Sequence, residues 1–195
     1  MSNSKSFTGF WSFFISLSIF YNDKIFTQSL FIAFALASDA QHPFLQNLQS
    51  FRGQSFEGKV IFPKDETDPF YGKKLVIFFA KCEANEVRIP FHVGEDKSRT
   101  WVLTNDSSGL LLKHDHRHKD GTPDSVTLYG GYATPSNRKW IQFFPADSYT
   151  AKLIPAAATN EWCMLLSEDR KTFSYILHRN GEPRFRADFE LSKPL

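Results

Sequence analysis

From residue 58 onward the chain is a succession of short segments whose apolar residues recur every second position, with turn-forming residues between them. Alternate side chains of a strand point to opposite faces, so such a pattern builds half-buried strands. The last segment is the cleanest. Phe185, Ala187, Phe189 and Leu191 alternate with Arg184, Arg186, Asp188 and Glu190, and Asn180-Gly181 separates this run from Thr172–His178. Asn-Gly between two alternating runs is a strong hairpin signal, because both residues tolerate the positive φ that a two-residue turn demands.

Read in the same way, strands are expected at 59–62, 74–82, 86–93, 99–104, 109–118, 126–133, 139–144, 161–166, 172–178 and 184–191. The run Lys74–Cys82 is apolar on both faces, as a central strand would be. Residues 145–160 form the longest interruption, with one helical turn expected at Ala156-Ala157-Ala158. No helix of crossover length separates the strands, so a parallel βαβ sheet is excluded. A long antiparallel sheet tends to close or fold over to remove its edges. The expectation is an all-β fold, an antiparallel meander closing into a barrel over residues 57–193, with a two-sheet sandwich as runner-up.

The first forty residues are a different material. Two apolar runs, 10–20 and 25–37, flank Tyr21-Asn22-Asp23-Lys24. Neither reaches the roughly 18 residues a membrane-crossing helix needs. Lys24, the apolar core after it and the small residues ending at Ala37 or Ala40 fit an export signal cleaved after one of them. The working protein would then begin near residue 41, in the periplasm or outside the cell, and touch a membrane only through this segment. Residues 41–56 read as a connecting stretch with a brief helix over 43–51.

Net charge is only +2, with no basic stripe, so the electrostatic footprint of a nucleic-acid binder is missing. Nothing in the sequence demands an assembly, and a monomer or weak dimer is expected. The two cysteines, Cys82 and Cys163, have no metal-binding or redox spacing. They read either as one disulfide between distant strands or as two small buried hydrophobes.

The chemically pointed stretch is Gly109–Gly121, which carries His114, His116 and His118 on the same strand face as Leu110 and Leu112. Same-face neighbours on a strand lie roughly 7 Å apart, so two of the three imidazoles can grip one metal ion but all three cannot. A metal site would recruit a further group, with Asp120, Asp124, His92 and His178 as candidates. His92 and His178 fall on the polar faces of their own strands. The alternative reading is a polar strand end whose imidazoles are hydrogen-bonded or solvated. Trp101, Trp140 and Trp162 read as core residues that would also serve to line a ligand cavity.

Gly109, His114, His116, Asp120 and Gly130 or Gly131 stand in the order of the first cupin motif, which this stretch resembles. The resemblance implies a divalent metal, zinc, iron or manganese, held by His114, His116 and Asp120. Asp120 stands where cupins prefer Glu, and no second motif supplies the last His. The export signal, strand-only body and closing hairpin resemble small secreted calycin-like barrels, of which lipocalins are the best known. The stretch 99–131 also resembles an uncharacterised family of bacterial exported proteins. These resemblances imply a barrel outside the cytoplasm. Three functions follow as expectations: a binding module for a small apolar or amphiphilic ligand at His114, His116, His118, Trp101 and Trp140; a metal-dependent enzyme on the histidine strand; or an envelope-associated structural protein.

Overall fold

In the computed structural model, which describes residues 41–136 and 138–195, eleven strands form one antiparallel sheet. They are β1 (Ser55–Phe62), β2 (Leu75–Phe78), β3 (Lys81–Cys82), β4 (Glu86–Val93), β5 (Asp96–Asp106), β6 (Gly109–His116), β7 (Tyr129–Tyr132), β8 (Ile141–Pro145), β9 (Asn160–Leu166), β10 (Thr172–Arg179) and β11 (Glu182–Glu190). The export-signal reading of residues 1–40 lies outside the described residues, as does Asn137 of the turn before β8.

The spatial order is β7-β6-β5-β4-β2-β1-β11-β10-β9-β8, with the two-residue β3 on β4. The first and last strands are therefore neighbours, and Val60 of β1 lies opposite Ala187 of β11. The up-and-down meander curls into a nearly closed barrel, with its seam in mid-chain between β7 and β8. The Asn180-Gly181 hairpin forms as read, with φ of 54° and 78°.

The seam is joined locally. Thr134 N–H donates to Phe143 O at 2.8 Å, and Asp147 N–H to Gly130 O at 2.9 Å. A short helix, α2 (Ser148–Leu153), lies outside it. The Thr150 hydroxyl donates to Gly130 O at 2.8 Å and accepts from Gly130 N–H at 2.7 Å. Asp147 caps α2 by accepting from Thr150 N–H at 2.7 Å, and its other oxygen meets Lys113 Nζ at 2.5 Å. Gly131 allows the close approach at the seam: a Cβ there would lie 2.0 Å from Pro145 O.

One end of the barrel is plugged. Helix α1 (Pro43–Leu48), followed by a 3-10 turn at Gln49–Phe51, puts Phe44, Leu45, Leu48 and Phe51 into the core. Arg170 and Asn47 tie this plug to the barrel: an Arg170 N–H donates to Asn47 O at 3.0 Å, and Asn47 Nδ2 donates to Lys139 O at 2.9 Å.

Two expectations are corrected. Lys74–Cys82 is not one strand buried on both faces. It breaks after Phe78, and Val76 and Phe78 are only half-buried. The break follows from a change of partners, because Phe79 bonds Gln54 O while Ala80 turns to Arg88 O. The expected helical turn at 156–158 is a 3-10 turn at Pro155–Ala157, and α2 precedes it unforeseen.

Inside, aromatic rings run from the plug to the far end. Phe51 meets Phe79 at 5.4 Å, Phe79 meets Phe173 at 6.1 Å and Phe173 meets Trp101 at 6.3 Å. Trp101 is stacked between Phe91, at 4.7 Å, and Tyr175, at 4.4 Å. Beyond them Tyr175 meets Phe185 at 6.2 Å, and Phe185 meets Phe70 at 5.1 Å. Burial of each ring removes apolar surface from water and stabilises the fold by about 1.5–3 kcal/mol before entropy is counted.

Candidate functional site

The histidine strand is placed as its alternation required: Leu110, Leu112 and His114 point into the barrel. What His114 meets there is not a metal position. It is 3% exposed, its Nδ1 lies 3.1 Å from Tyr129 O and its Nε2 lies 2.8 Å from the Tyr175 hydroxyl. A carbonyl only accepts, so Nδ1 carries the proton, Nε2 is the acceptor, and Tyr175 donates to it. Both nitrogens are thus committed. The ring lies flat on Tyr129 at 4.6 Å, with Trp162 at 4.9 Å. Burial pushes the imidazole down to about 3, with the neighbouring His116 and Lys113 acting the same way against the Tyr129 hydrogen bond. His114 is a neutral core residue across the ordinary pH range.

His116, the last residue of β6, is half-buried and its Nε2 lies 3.1 Å from the Tyr129 hydroxyl. Burial and then Arg99 lower its pKa. The strand stops there. His118 N–H bonds Thr122 O across a turn, and the side chain is exposed. Asp120 is exposed as well, its Oδ1 accepting from the backbone and hydroxyl of Thr122 at 2.9 and 2.6 Å. The cupin-like set His114, His116 and Asp120 therefore does not converge. Among the described residues no three His, Cys, Asp or Glu side chains do so in a way that would hold a metal ion. The physical reason is that strand spacing and the turn after His116 spread these groups from core to surface.

The tryptophans are also reassigned. Trp101 is 1% exposed and has both ring faces covered, so no ligand can stack on it. Trp140 sits before β8, with its carbonyl bonded to Leu166 N–H and Lys139 Nζ 5.2 Å from its ring centre. Cys82 and Cys163 are free and buried, and burial pushes their thiols up to about 11 and about 12.

The end opposite α1 offers something the sequence reading did not single out. There the end of β8, the start of β9, the end of β10 and the β10–β11 turn enclose an open cleft of about 430 Å³. Pro145, Ala146 and Ala158 supply apolar wall; Thr159, Asn160, Glu161 and His178 supply polar groups. Glu161 and His178 are cross-strand partners, on the outward faces of β9 and β10. Thr159 is fixed by a 2.6 Å bond from its hydroxyl to Asn180 Oδ1. Asn160 Oδ1 accepts from Arg179 Nε at 2.8 Å. His178 Nδ1 is buried without a hydrogen-bond partner among the described residues, and the Glu161 carboxylate has neither ion pair nor hydrogen bond among them.

No match to known proteins accompanies this geometry. Comparisons with family models, with curated proteins and with solved structures each find nothing similar to the chain. The functional reading rests on the site alone. A second cleft, about 380 Å³, lies on the outer wall between Glu57, Lys59, Asp188 and Glu190 and holds both charge signs.

Proposed function

We propose that the protein is an exported binding module that holds a small amphiphilic molecule in the rim cleft, outside the aromatic core. The observation that carries this is a concavity with apolar wall from Pro145, Ala146 and Ala158 beside the Glu161 carboxylate, which has no ion pair or hydrogen bond among the described residues. Small-molecule sites are clefts of about 300–1,000 Å³ with apolar walls and a few convergent polar groups; the rim cleft, about 430 Å³ and open on one side, has a volume in that range and a mixed apolar and polar lining. A buried polar atom without a partner costs about 1–3 kcal/mol and is tolerated where it serves a purpose. His178, whose Nδ1 is such an atom beneath the surface, is among the residues that line this cleft. The rings that fill the barrel argue against a ligand at its centre.

Export rests on Lys24, the apolar core and the small residues at Ala37 and Ala40. Sequencing the N-terminus of the protein recovered from cells should start at Ser38 or Gln41; a start at Met1 would overturn that part of the reading. The binding reading is tested by thermal denaturation with a library of small amphiphiles. A ligand that binds only the folded state raises stability by mass action, about 2.7 kcal/mol at a hundredfold excess over Kd. Compounds that raise the Tm should lose their effect in Ala158→Trp, which fills the cleft. Compounds that act equally on that variant would place their site elsewhere and overturn the reading.

A further inference from the structure

We infer that the ligand of the rim cleft is a small organic ammonium with a short apolar tail, an inference that rests on the binding reading above. Among the described residues, Glu161 is the only formally charged side chain in the lining, and no Lys or Arg lines the cleft. The nearest cation along the chain, Arg179, is turned to the inner face of β10 and engaged with Asn160 Oδ1. Glu161 is half-buried and has no cationic partner within 4 Å among the described residues. Most carboxylates on the outer wall differ in this respect: Glu57, Glu86, Asp188 and Glu190 each pair with a Lys or Arg.

An anion entering the cleft would lose water beside a fixed carboxylate, with no cation in the lining to compensate. An ammonium would gain the charge-assisted hydrogen bond that Glu161 leaves unmade. Thr159 and His178 also line the cleft, His178 as the cross-strand partner of Glu161. Pro145, Ala146 and Ala158 offer apolar contact for about one short alkyl chain. The position is selective by charge rather than by shape, because the cleft is open on one side.

The test is a ligand-observed NMR titration of the full chain with hexylamine, hexanoate and hexanol, which share one tail and differ in charge. The cationic compound should bind at least tenfold more tightly than the anionic one. Glu161→Gln should erase that preference without changing the Tm by more than a degree or two, and Glu161→Asp should keep most of it. Hexanoate binding as well as hexylamine, or a preference that survives Glu161→Gln, would overturn the ammonium inference and leave the cleft as a site. Failure of all three compounds to bind in a way that Ala158→Trp abolishes would overturn both.

Discussion

At the scale of single residues, the sequence places His114, His116 and His118 on the leucine face of one strand, and the structure keeps only His114 in the core and changes what that position means. Its two partners lie 15 and 61 residues away along the chain. Nothing local to β6 could have named them. Burial lowers the imidazole from 6.5 to about 3, so the unfolded chain binds a proton that the folded chain refuses between those values. Stability is fully present above pH 6.5 and is lost as pH falls toward 3, at a limiting slope of about 1.4 kcal/mol per pH unit from this group. Denaturant unfolding between pH 7 and pH 4 should show His114→Gln losing about one proton's worth of that slope relative to the parent; equal slopes would contradict the buried neutral assignment. Tyr175→Phe leaves His114 Nε2 without its donor and should cost about 1–3 kcal/mol by the same measurement.

His178 teaches the complementary lesson. Its place on the polar face of β10 was legible and disqualifies it from an inward metal site. That same outward placement puts it in the wall of the rim cleft. The other half of the wall, from Pro145 to Asn160, comes from the long interruption that carried no motif.

At the scale of elements, the strands were legible because alternation and turn residues are local signals. Strand partners, breaks and the plug are not local. Lys74–Cys82 reads as one run because its composition is uniform, and it divides because Phe79 and Ala80 pair with different neighbours. Helix α2 has its own signal, Asp147 three residues before Thr150, yet six residues are too few for a helical hydrophobic period to show. Its role is to fasten the β7–β8 seam. Asp147→Ala removes a helix cap and the partner of Lys113, which together should cost about 1–2 kcal/mol. Gly131→Ala forces a Cβ against Pro145 O and should cost about 3 kcal/mol, in the range of overpacked sites. Hydrogen exchange of the Thr134 and Asp147 amides reports on the seam directly. Both variants should accelerate it, and unchanged protection would show that the seam is held elsewhere. The plug is tested in the same way: Leu48→Ala, fully buried, should lose about 2–5 kcal/mol in urea unfolding.

At the scale of the whole molecule, the barrel has two unlike ends. One is stoppered by α1 and its phenylalanines; the other carries the rim cleft. Between them, rings in contact occupy the space where a calycin-like barrel would hold its cargo. The antiparallel barrel itself was legible in the sequence, since alternating strands without crossover helices have few ways to hide their edges. The filling was not legible. An inward aromatic lines a cavity or closes it depending on what faces it across the barrel, and Trp101 faces Tyr175 from strands that are 74 residues apart.

The central claim, that ligands bind at the rim and not in the core, is tested most directly by backbone chemical-shift mapping of the full chain titrated with a stabilising amphiphile. Perturbations should concentrate at Ala146, Thr159–Glu161 and His178–Gly181, with the amides of Trp101, Leu112 and Phe173 unmoved. Large shifts at Trp101, His114 and Tyr175 with a quiet rim would contradict the account, because a ligand would then have entered among the stacked core rings.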